Sequence, residues 1–193
     1  MSSLPLPRMT LAQYLELENA SDECHEFYGG EVFQVENATF RHQRIVARFT
    51  SATASFLDAN GCELHTHGTR VATSAVDGLI TYPDLVIFCG QPKFLATDPN
   101  TLLNPKAILE VLSPSTKDYD RGSKFKLYRS IASLEEYVTI QQDFPAVEHH
   151  VKQPGGAWLM HDLNGLENTL RLTSVALEIP FSILYETLEF GPS

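Results

Sequence analysis

The chain has 193 residues, 43% of them apolar, with 11 Gly and 11 Pro scattered along it, so it is sized for one well-filled core and excludes a disordered or fibrous protein. Fourteen Lys+Arg against 24 Asp+Glu give a formal charge of -10, which repels polyanions and obliges any nucleic-acid reading to find a local basic surface. No run approaches the ~18 consecutive apolar residues of a membrane span, and Met1 to Thr10 lacks the basic-then-apolar order of a secretory signal. With Cys24, Cys62 and Cys89 too few and too far apart for a disulfide framework, the expectation is a cytoplasmic protein with reduced thiols and no membrane partner.

In chain order, Thr10 followed by Leu11, Tyr14, Leu15 and Leu17 predicts a short capped helix. Cys24 to Val35 predicts a hairpin about Gly29-Gly30. Beyond Asn37, Ile45, Phe49, Ala52 and Phe56 recur at helical steps up to the stop signal Asn60-Gly61, and His42 continues that stripe toward the helix start. From Cys62 to Gly90 the pattern is β: alternation through Leu64 to Val71, a loop at Asp77-Gly78, then the apolar run Leu85 to Phe88. A Pro- and Asn-rich connection leads to Ala107 to Leu112, apolar except for Glu110 and so expected to be covered on both faces. After Ser113-Pro114-Ser115-Thr116, Asp120 is placed to cap a helix carrying Phe125, Leu127, Tyr128 and Ile131. Strands are expected at Tyr137 to Gln141, Val147 to Lys152 and Trp158 to His161. The expected fold class is α/β with mixed α+β character, a single domain over 1-193 in which helices flank a central mixed sheet.

Two carboxylates interrupt the two most apolar strands, Asp84 at the mouth of one and Glu110 inside the other. A carboxylate in such surroundings takes up a proton, finds a cation or binds a metal. If the strands are neighbours the two acids converge, and Mg²⁺ suits such a pair because it is held by one or two carboxylates plus waters and substrate phosphates. Lys124 and Tyr128 share a helix face that the tight turn can fold back toward Glu110. Two acids and a lysine around one metal form a phosphodiester-hydrolysis site.

Tyr82-Pro83-Asp84, Glu110-Val111-Leu112-Ser113-Pro114-Ser115-Thr116, then Asp120, Lys124 and Tyr128, and Leu134-Glu135-Glu136-Tyr137 together resemble the Uma2 family of restriction-endonuclease-like proteins. Gly30-Glu31 and His42 also fall where that family carries Gly-Glu and His. The resemblance implies a PD-(D/E)xK nuclease core, Asp84, Glu110 and Val111 as metal ligands, and Mg²⁺, or Mn²⁺ in its place, as cofactor. It further implies a nucleic-acid partner, DNA above all. The strand lysine of that superfamily is absent, since Leu112 stands two residues after Glu110, and Lys124 matches the helix-borne lysine of the Uma2 pattern instead. His42 reads equally as a core residue or a supporting site residue, and a homodimer would supply the second site that cutting both strands requires. A catalytically silent nuclease-fold binding module is the rival reading.

The remaining features read as structure. His65 with His67 and His149 with His150 invite zinc but have no third ligand at a convincing spacing, so solvated strand faces are expected. Glu31 reads as a hairpin acid. Lys117, Arg121, Lys124, Lys126 and Arg129 form the candidate basic surface, partly offset by Asp118 and Asp120.

Overall fold

The computed structural model describes residues 8–35, 37–66, 68–76, 78–113, 120–186 and 188–190. Thr10 opens α1 (Leu11–Ala20): its hydroxyl oxygen accepts from the Gln13 N–H, and the Gln13 side chain accepts from the Thr10 N–H. The expected hairpin follows as β1 (His25–Tyr28) and β2 (Glu31–Gln34). Gly29 and Gly30 have φ of 59° and 84°, the pair of positive angles that matches a two-residue turn to the twist of its strands. α2 (Phe40–Ala59), capped by Thr39, buries His42, Ile45, Phe49, Thr53 and Leu57. The stripe expected through Ala52 and Phe56 therefore lies one position off. Thr53 can be buried because its hydroxyl donates to the Phe49 carbonyl at 2.7 Å, while Phe56 faces solvent.

Most of the remaining chain builds two six-stranded mixed sheets. Its strands are β3 (Cys62–Thr66), β4 (Arg70–Ala72), β5 (Ile80–Thr81), β6 (Leu85–Cys89), β7 (Phe94–Leu95), β8 (Asp98–Leu102), β9 (Ala107–Leu112), β10 (Glu136–Gln141), β11 (Ala146–Lys152) and β12 (Trp158–Asn164). One sheet has the order β2-β1-β5-β4-β8-β7 and the other β12-β11-β10-β9-β6-β3. A separate hairpin, β13 (Thr169–Leu172) and β14 (Leu177–Pro180), precedes α4 (Phe181–Leu184), with α3 (Phe125–Tyr128) between β9 and β10.

Three local expectations are corrected. The alternation through Leu64 to Val71 is two strands in different sheets, broken near Gly68, whose φ of 101° suits only glycine, and Arg70 can be buried because Asp98 lies 3.3 Å away. The Pro- and Asn-rich connection contains β7 and β8. Cys62 and Cys89 are disulfide-bonded rather than reduced, because β3 and β6 pair with these residues directly opposite each other; Cys24 is a free thiol. Asp77 of the expected loop lies outside the described residues.

β9 confirms the cost assigned to Glu110, since all six of its residues are buried. Ala107, Leu109 and Val111 pack with Ile45 and Phe49 of α2 on one face, and Ile108 packs with Tyr128 and Tyr137 on the other. β9 runs antiparallel to β6, with Leu85 opposite Leu109, and parallel to β10, with Thr139 opposite Glu110. This register brings Asp84, the residue before β6, beside Glu110. No described helix is long and apolar enough to cross a membrane.

Candidate active site

The string Tyr82-Pro83-Asp84 is where the chain leaves one sheet for the other, since β5 belongs to the first and β6 to the second. Pro83 has no N–H to give to a ladder, so pairing stops there and Asp84 stands at the mouth of β6. Its Oδ2 accepts the Val111 N–H at 2.7 Å, and its Oδ1 lies 2.8 Å from His42 Nε2. The Asp84 N–H donates to Glu110 Oε2 at 3.3 Å. The two acids converge as neighbouring strands require. His42, left open between core and site by the sequence, is buried and lies against Asp84 from the first turn of α2.

Lys124 arrives by a different local structure from the one expected. Asp120–Lys124 is a π-helical turn leading into α3, so Asp120 lies inside the turn and is not its cap. Such widened turns recur at functional sites. Lys124 Nζ lies 3.0 Å from Glu110 Oε1, 2.9 Å from Glu26 Oε1 and 3.5 Å from Asp120 Oδ1. Tyr128 shares the face of Lys124, and its hydroxyl donates to Glu110 Oε1 at 3.0 Å. Tyr137 donates to the Asp120 carbonyl at 2.9 Å, tying the turn to β10.

Glu26 is the site member that the sequence did not reveal. It sits in the short strand β1, and the Thr81 hydroxyl donates to its Oε1. Its partners are 55 and 98 positions away, so no local pattern marks it; an acid between His25 and Phe27 in a β-prone run is the only trace. Glu31, which matched the family's Gly-Glu, is a surface acid 3.7 Å from Arg8.

Four carboxylates thus face one lysine and one histidine. Burial is the main force pushing the Glu110 carboxyl up to about 8; Lys124 opposes it, and Asp120, Asp84 and Glu26 add to it. Burial alone disfavours the charge on Lys124, but Glu110, Glu26 and Asp120 outweigh it and hold the ammonium well above the usual lysine range. Asp84 has the most exposed side chain of the group, 21% against 5% for Glu110, so solvent reaches the site from the Asp84 side.

Among the described residues no three His, Cys, Asp or Glu side chains form a closed metal cage. Mg²⁺ needs none, and the hard oxygens of Asp84 and Glu110 suit it, its charge favouring the ionised form of Glu110. Val111 could serve only through its carbonyl oxygen, since its side chain is in the core and its N–H is on Asp84.

The other expected features are dispersed. His149 and His150 point to opposite faces of β11: His149 is buried 3.4 Å from Glu136 Oε1, and the His150 ring lies tilted against Phe125 with centroids 4.3 Å apart, so neither forms a solvated face. His65 Nδ1 and Nε2 lie 3.2 Å from Thr69 and Glu63, and His67 lies outside the described residues. The basic run does not form one surface. Lys124 is internal, Arg121 pairs with Glu148 at 2.7 Å and Arg129 lies over the Phe125 ring; Lys117, Asp118 and the turn residues Pro114, Ser115 and Thr116 are outside the described residues.

The mixed α+β fold that carries these residues has a solved counterpart. Its architecture matches the 1.96 Å crystal structure described as "a putative nuclease belonging to DUF820" from Anabaena variabilis, with a TM-score of 0.75 over 92% of this chain and 97% of that one, at 17% identity. The class is therefore that fold, a mixed α+β architecture shared by the two chains. Residues 11–182 match Uma2, described as "Putative restriction endonuclease", and the chain belongs to that family. Two uncharacterized proteins of Synechocystis sp. are similar along most of their length. The protein slr1290 is 28% identical over 97% of both chains, and sll1609 is 31% identical over 81% of this chain and 88% of its own.

Proposed function

We propose that the protein is a divalent-metal-dependent endonuclease of the cytoplasm, hydrolysing phosphodiester bonds of DNA with Mg²⁺, or Mn²⁺ in its place. The observation that carries this reading is the meeting of Asp84, Glu110 and Lys124, with Lys124 Nζ 3.0 Å from Glu110 Oε1 beside the solvent-facing Asp84. Membership of a family described as "Putative restriction endonuclease" supports it.

Asp84 and Glu110 would hold the metal, with the Val111 carbonyl as a third donor. Bound there, the ion supplies charge neutralisation at the nonbridging phosphate oxygens and activation of water. His42 and the Val111 N–H fix the orientation of Asp84, and Tyr128 fixes that of Glu110. Lys124 is held by Glu26 and Asp120, so its charge would stand ready for the negative charge that grows on the phosphoryl oxygens and would cost no reorganisation during the reaction. Cutting both strands of a duplex asks for two such sites, so a homodimer belongs to the proposal.

The test is plasmid and circular single-stranded DNA incubated with Mg²⁺ or Mn²⁺, and with EDTA. Wild type should cut with metal only, and Asp84→Asn and Glu110→Gln should each lose at least about 10²-fold in rate, the scale of removing one preorganised electrostatic partner. Equal cutting by Asp84→Asn would refute the assignment. Lys124 already places one cation among three carboxylates, which favours the rival reading of a silent binding module; DNA bound but uncut by wild type with either metal would establish that reading instead.

A further inference from the structure

The longest stretch of the sequence without Asp or Glu runs from Asn37 to Leu57, in a chain of net charge -10. Within it Arg41, Arg44 and Arg48 recur at steps of three and four, on one face of α2. Arg41 and Arg48 are engaged near the end of the chain: Arg41 Nη2 donates to the Glu189 carbonyl at 3.0 Å, and Arg48 pairs with Glu186 at 2.9 Å. Arg44 also lies 5.4 Å over the ring of Phe40. That ring is 72% exposed although it opens the helix, two residues before the histidine that holds Asp84. Across the same edge, Arg41 Nε donates to the Gln142 carbonyl at 3.1 Å, and the turn that follows carries Phe144, also exposed.

Building on the nucleic-acid reading above, we propose that Phe40 is a stacking platform for an unpaired base of single-stranded nucleic acid, with Arg44 at the adjoining phosphate. An exposed ring offers a π-face to any base, and a neighbouring arginine adds both cation–π contact and phosphate affinity. Charge selects a polyanion for this stretch of helix, whose residues 40–57 carry three arginines and no acid. The ring selects a strand with a free base face, which a duplex lacks because its bases are stacked on each other. The strand would enter beside His42 and reach Asp84 in single-stranded or locally unpaired form.

The experiment measures anisotropy of labelled oligo-dT and of a duplex of equal length with the full chain in EDTA, so that nothing is cut. Wild type should bind oligo-dT, and Phe40→Ala should weaken that binding about tenfold while changing duplex binding less than twofold. Phe40→Trp should restore it. Arg44→Gln should weaken both polymers and lower the salt slope by about one. Unfolding midpoints of these exposed-site variants should equal that of wild type. Oligo-dT binding unchanged in Phe40→Ala overturns the platform and leaves the endonuclease reading standing, whereas wild type binding neither polymer overturns both. A change in sedimentation of Phe40→Ala protein alone, with oligo-dT binding intact, makes the ring a contact between copies and also overturns the proposal.

Discussion

Lys124→Met is the perturbation that tests the electrostatics of the site most directly, because the side chain keeps its length and loses its charge. Lys124 Nζ lies among Glu110, Glu26 and Asp120, all with side chains at most 12% exposed. Without the ammonium at least one further carboxyl must take up a proton to fold. Neutralising a glutamate of ordinary pKa 4.5 at pH 7 costs about 3.4 kcal/mol at 1.36 kcal/mol per unit. That agrees with the ~3–5 kcal/mol typical of removing one partner from a buried ion pair. For a chain of this size the loss corresponds to a fall of about 7–14 °C in Tm. A carboxyl whose folded pKa is raised penalises folding as pH climbs above the unfolded value, so the deficit should be full near neutrality and shrink to about 1 kcal/mol at pH 5. Adding Glu26→Gln should recover part of it at pH 7. The assay is urea unfolding followed by circular dichroism at pH 5 and pH 7, for wild type, the single mutant and the double mutant. An unchanged midpoint at pH 7, or a deficit of equal size at pH 5, would refute the reasoning. Catalytic comparisons with Lys124→Met must be made below its lowered Tm, so that lost chemistry is separated from lost fold.

Mg²⁺ or Mn²⁺ should raise the Tm of wild type by mass action and leave that of Asp84→Asn unchanged, as read by differential scanning fluorimetry; an equal shift in both would remove Asp84 from the metal site. Reducing the Cys62–Cys89 disulfide, or replacing Cys62 by Ser, should cost about 3–4 kcal/mol, the chain-entropy value for a crosslink spanning 27 residues, measured as a lower urea midpoint in dithiothreitol. Burial among aromatic rings lowers the His150 imidazole to about 4, with His149 and Arg129 adding to the effect. The unfolded chain therefore binds a proton first, and stability should fall as pH drops from about 6.5 toward 4. His150→Gln should flatten that acid limb by about 1–2 kcal/mol after allowance for solvent screening of a half-exposed ring, while a limb of unchanged steepness would assign the loss to other groups.

The sequence by itself determined the elements whose instructions are local, and it singled out the two acids of the candidate site. Thr10, Gly29-Gly30 and Asn60-Gly61 set a cap, a turn and a helix end through their own backbone and side-chain chemistry, and the structure places each where the sequence does. Asp84 and Glu110 were legible because a charge inside an apolar strand is costly wherever that strand goes. Lys124 and Tyr128 were legible as a pair from helical spacing, although the π-turn that aims them was not. Only the tertiary structure decided the rest, because the deciding contacts join residues far apart in the chain. Glu26 enters the site through Lys124, 98 positions away, and no periodicity carries that separation. Cys62 and Cys89 meet because β3 and β6 pair in one register, which spacing alone does not specify. The basic run that looked like a surface divides because a helix turns successive residues in different directions: Lys124 enters a buried ion cluster, Arg121 meets Glu148 and Lys126 faces solvent. Local chemistry fixes what each segment can form, and packing fixes which of its charges meet.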